Sequence, residues 1–93
     1  MLVSNNINND DPKNWDFNKV KNWLIKNELN FMAKAFSSYN GLALKGLYQV
    51  QQKDYSLFVH IVQKQIDESI IRVAELEKLC FYALLEDQFK QYK

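Results

Sequence analysis

Glycine and proline are nearly missing from this 93-residue chain, which has two of the first and one of the second. Turns between strands draw on both residues, so a β-sandwich or a βαβ array is excluded in favour of helices. The single cysteine, Cys80, leaves no internal disulfide and no zinc site built on two thiolates. The single histidine, His60, stands among Phe58, Val59, Ile61 and Val62 with no sequence-local partner for a metal set or a nucleophile pair. Gly41 and Gly46 are too isolated to form a loop that cradles phosphate. Neither sign of charge dominates: 12 basic residues face 11 acidic ones, for a net +1. That excludes a strongly basic nucleic-acid footprint over the whole chain. No apolar run approaches the ~20 residues that cross a bilayer. The first residues show neither the basic nor the apolar region of a secretory signal. Together these absences predict a protein that is no enzyme and uses no metal or cofactor. It is expected in the cytoplasm or nucleus, off the membrane.

What is present suits a helical core. Apolar residues make up 47% of the chain and aromatics 14%, enough to fold one domain. Residues 4–14 hold five asparagines, two aspartates and the proline. Residues 1–14 therefore read as a flexible leader, and 15–93 as one all-α domain. Phe17, Val20 and Leu24 recur at helical spacing after Asp16, a good N-cap, which predicts a helix to Lys26. Leu29, Met32, Ala33 and Phe36 predict a second helix over 29–39, with Gly41 at its left-handed C-terminal position. A short turn over Leu42, Leu44 and Leu47 and a polar loop over 49–53 follow. Asp54 is then expected to cap a fourth helix to about Gln63, with Leu57, Phe58, Ile61 and Val62 inward. From Ile66 no breaker appears, so the last helix is expected to run ~25 residues, ~38 Å at 1.5 Å per residue. The fold class is a compact five-helix bundle with a long C-terminal helix.

Trp15, Val20, Trp23 and Leu24 have the spacing that opens sterile alpha motif (SAM) domains. Leu29, Met32 and Phe36 fall on the family's next apolar and aromatic positions. Tyr39-Asn40-Gly41 with Leu44 and Leu47 resembles its entry to helix three. Ile70, Ile71, Val73 and Leu76 resemble the rows of its fifth helix. Residues 15–79 thus resemble a divergent SAM domain. The resemblance implies a SAM-like five-helix fold and a protein-interaction module in a scaffold or signalling protein. Its partner would be another SAM-like or helical domain, and a discrete homodimer is favoured over an open polymer. Some family members bind RNA hairpins, which is the alternative function. The scattered lysines Lys19, Lys21 and Lys26 argue against nucleic acid here.

Residues 79–85 (Leu-Cys-Phe-Tyr-Ala-Leu-Leu) are apolar without interruption. A helix presents such a run on every side, so one core cannot bury it all. Phe81, Tyr82 and Leu85 lie off the stripe of Ile70, Val73, Cys80 and Leu84 and are expected to point outward, as anchors for a partner. Leu2, Val3 and Ile7 are the intramolecular alternative cover. Ile66, Asp67 and Arg72, at the expected start of helix five, complete the candidate partner-binding residues.

Overall fold

The computed structural model describes residues 11–92. It is all-α: a 3-10 turn over Pro12–Asn14 precedes α1 (Phe17–Lys26), α2 (Asn30–Ala35), α3 (Gly41–Lys53), α4 (Tyr55–Glu68) and α5 (Glu75–Lys90). The terminal helix is the longest, but at 16 residues it falls well short of the expected length.

Asp16 caps α1 as its sequence position suggests, its carboxylate accepting the Lys19 N–H at 2.8 Å. Val20, Trp23 and Leu24 form the buried face. Of the leader, residues 11–14 are not a free strand. Asp11 caps the 3-10 turn and Pro12 is buried. The fold-back of Leu2, Val3 and Ile7 lies outside the described residues.

The second helix stops at Ala35, short of the expected 39, and two other boundaries move. Gly41 does not end α2; it begins α3, which Asn40 caps through the Ala43 N–H at 2.9 Å. The glycine is required by crowding, since a Cβ there would run into the Pro12 carbonyl oxygen. The polar stretch 49–53 is the last turn of α3, not a loop. Glutamine and lysine are good helix formers, and polarity alone does not end a helix. Gln51 is buried there, its amide donating to the Tyr82 carbonyl at 3.0 Å. Asp54 both closes α3, donating its N–H to Val50 at 2.8 Å, and opens α4, accepting the Leu57 N–H at 3.1 Å.

The expected final helix from Ile66 is in fact two. α4 runs on to Glu68, and the chain breaks over Ser69–Ala74 before α5 starts. Ile70 takes a left-handed backbone, φ 58°, with no glycine or asparagine to announce it. The Ser69 hydroxyl donates to the Ile66 carbonyl at 2.7 Å and closes the end of α4.

The core is built from all five helices. Leu24, Met32, Phe36, Leu44, Phe58, Val62, Phe81 and Leu85 have almost no exposed surface. Phe36 lies against Phe81 with ring centroids 5.2 Å apart, joining α2 to α5. Phe58 meets Tyr82 edge-on at 5.0 Å, joining α4 to α5. Of the residues expected inward on α4, Phe58 and Val62 are buried, whereas Leu57 is exposed and Ile61 half-buried.

Candidate interaction surface

Helix α5 is apolar on two opposite faces, and this defines the site. One face carries Phe81, Tyr82, Leu85 and Phe89, all packed in the core. Phe81, Tyr82 and Leu85 therefore do not point outward: Phe81 and Leu85 are 0% exposed. The stripe that suggested otherwise was phased on Ile70 and Val73, which precede α5. The break at residues 69–74 resets the helical phase, so the two halves of the sequence stripe do not share a face.

The opposite face holds Leu76, Leu79, Cys80 and Ala83, at i, i+3, i+4 and i+7. Leu76 is 71% exposed and Leu79 56%; Cys80 and Ala83 are exposed too. These four residues form a continuous apolar stripe along two turns. One flank is a groove lined by Asn27, Glu28 and Leu29 from the α1–α2 corner and by Ala74, Leu76 and Cys80.

The stripe sits on a fixed support. Glu77 accepts the Met32 N–H at 2.8 Å, tying the first turn of α5 to the start of α2. Lys78 points inward, its ammonium 2.8 Å from Glu75 and donating to the Gln63 side-chain carbonyl at 2.8 Å on α4. These contacts fix which way α5 faces.

The other expected residues do not gather at the start of α5. Ile66 is buried in the last turn of α4. Asp67 is exposed on that same turn, accepting from the Gln63 amide at 2.9 Å. Arg72 is exposed in the connecting segment. His60 is exposed on α4. Among the described residues, no group of three or more His, Cys, Asp or Glu is placed to hold a metal ion. No described helix is long and apolar enough to cross a membrane.

Leu76, Leu79, Cys80 and Ala83 were missed as site residues, Cys80 having been expected on the inward stripe, although the apolar run from 79 to 85 signalled the surplus. A second surface also emerges only in three dimensions: Lys21 and Lys34 face one groove with Ile25 between α1 and α2. No protein-family model, curated protein or solved structure matches this chain.

Proposed function

We propose that the chain is a non-catalytic docking module whose outward α5 face seats on a helical protein. The observation that carries this reading is the stripe Leu76–Leu79–Cys80–Ala83, open on a helix whose other face is already packed. A contiguous apolar face on a small protein marks an interaction site more often than scattered exposed residues do. The resemblance of residues 15–79 to SAM domains supports the same class, a scaffold or signalling adaptor working in the cytoplasm. The 13-residue α3 departs from the tiny third helix of that pattern. The reading therefore leans on the α5 face and not on the family's usual binding surface.

The test contrasts two pairs of substitutions. Leu76→Asp with Leu79→Asp charges the stripe and should leave the thermal melt unchanged. Proteins from the cells of origin held by the wild-type chain should then be lost. Phe81→Asp with Leu85→Asp should unfold the domain, because two carboxylates enter the core. Equal retention by the wild type and the stripe variant would reject this face as the docking site.

RNA-hairpin binding is the second reading, and the Lys21–Lys34 groove favours it. Residues 12–53 carry seven lysines against two carboxylates. If phosphates bind there, filter retention of a hairpin should fall steeply from low to moderate salt. It should vanish in Lys21→Glu with Lys34→Glu. No retention at low salt would reject the reading.

A further inference from the structure

We infer that the outward face of α5 takes a second copy of this chain, the two helices running antiparallel about a two-fold axis beside Leu79 and Cys80. The inference rests on the docking reading above and names its partner.

Two features make the stripe complementary to itself. The first is size. An antiparallel pairing centred between Leu79 and Cys80 sets Leu79 against the small Cys80 of the other copy, and Leu76 against the small Ala83. Each large side chain thus meets a small one, the condition for ridges to enter grooves. A parallel pairing would set leucine on leucine and leave a gap at Ala83. The second feature is charge. Arg72 stands before the stripe, exposed and in no ion pair among the described residues. One turn past Ala83 stand Glu86 and Asp87, exposed and likewise without an ion pair. The antiparallel arrangement brings the Arg72 end of each copy to the acidic end of the other, twice by symmetry, as an isologous contact requires. A parallel one would bring like charges together. Glu75 does not oppose this, since Lys78 already holds its carboxylate at 2.8 Å. Lys90, a turn past Asp87, falls beyond the start of the other copy's α5.

A stripe of four side chains is small beside the roughly 20–30 residues a side of a stable complex, so the dimer should be weak and concentration-dependent. The experiment is sedimentation velocity of the full chain, under reducing conditions, from about 1 μM to about 1 mM, the range of transient contacts. The wild type should pass from monomer to dimer. Leu79→Asp should raise the dimer Kd about 100-fold or more with its melt unchanged, because it buries an unpaired charge. Arg72→Glu and Asp87→Arg should each weaken the dimer alone. An equimolar mixture of the two should dimerise again, since both symmetric contacts then join opposite charges.

A chain that stays monomeric throughout overturns the inference, as does a dimer that survives Leu79→Asp. So does a mixture that fails to restore association. If the chain is monomeric while retention of another protein still depends on Leu76 and Leu79, the docking reading stands with a heterotypic partner. If a monomeric chain dimerises only after Leu2, Val3 and Ile7 are changed to serine, the chain's own first residues occupy the face, and self-pairing of the native chain is overturned.

Discussion

Glu77 on α5 accepts the backbone N–H of Met32 at 2.8 Å, across 45 positions of sequence. Leu29, the N-cap residue of α2, supplies no side-chain hydrogen bond of its own. The cap of this six-residue helix thus comes from the far end of the chain. A helix this short does not persist alone in water, so its existence depends on tertiary support. Glu77 gives that support and also fixes the face that α5 shows to solvent.

Glu77→Ala should therefore cost about 1–2 kcal/mol, the range for losing a cap made by a charged acceptor. Glu77→Gln keeps an acceptor and should cost less. Urea denaturation checks both. An unchanged midpoint for Glu77→Ala would show that the Met32 N–H is satisfied equally well by water.

The two glycines should respond in opposite directions. At Gly41 a Cβ would meet the Pro12 carbonyl oxygen and also the Trp15 nitrogen at 2.8 Å, and both are backbone atoms. The Gly41 N–H additionally donates to the Trp15 carbonyl at 2.8 Å, holding the two segments together. Gly41→Ala should destabilise by about 3 kcal/mol or more, the upper end of overpacking costs. Gly46 lies inside α3 with nothing within 4 Å of a Cβ. Gly46→Ala should stabilise by about 0.5–1 kcal/mol through helix propensity. Thermal melts of the two variants beside the wild type decide the matter.

Ile70 combines a left-handed φ of 58° with 93% exposure. A β-branched residue in that region carries about 1–2 kcal/mol of steric cost, and exposure leaves little packing to offset it. Ile70→Asn should raise stability by about 1 kcal/mol, because asparagine tolerates the left-handed region. A fall in the melting temperature would show instead that the isoleucine makes a contact on which the folded domain depends.

That same residue shows where sequence reading stops. The helical content, the Asp16 and Asp54 caps and the burial of Val20 and Leu24 on α1 were legible because each depends on neighbours within a turn, whereas Phe17, on the same expected stripe, is 53% exposed. The break between α4 and α5 was not. No glycine or proline stands between Ser69 and Ala74, and the left-handed position is filled by an isoleucine that local preference would never choose. Once that break is missed, the phase of α5 is carried over from Ile70 and Val73, and inside and outside exchange. The apolar run at 79–85 thus revealed that a surplus face exists, while its direction depended on tertiary contacts of Glu77 and Lys78. The polar stretch 49–53 failed for a related reason. Gln51 is polar yet buried, because its side-chain N–H donates a hydrogen bond to the Tyr82 carbonyl.

Alkaline pH should expose the burial of Tyr82. Burial pushes its phenol above the ordinary value of 10.0, and the nearby negative charges of Tyr55 and Glu75 push it further. Tyr39 is raised as well, by burial first and then by Glu68. A raised folded pKa means the folded chain keeps its proton longer than the unfolded one. Below about pH 10 both states are protonated and this stabilising contribution is fully present. As pH rises past that value the unfolded chain loses its proton first, so stability falls until the folded pKa is passed. Tyr82→Phe removes the proton in question while keeping the ring that packs on Phe58 at 5.0 Å. The variant should match the wild type in melts near pH 7 and lose less stability than it does between about pH 9 and 11. Adding Tyr39→Phe should flatten the alkaline decline further. Every other group is common to the three chains, so the difference between melts isolates the two phenols. Parallel decline of all three chains would remove Tyr82 and Tyr39 from the account.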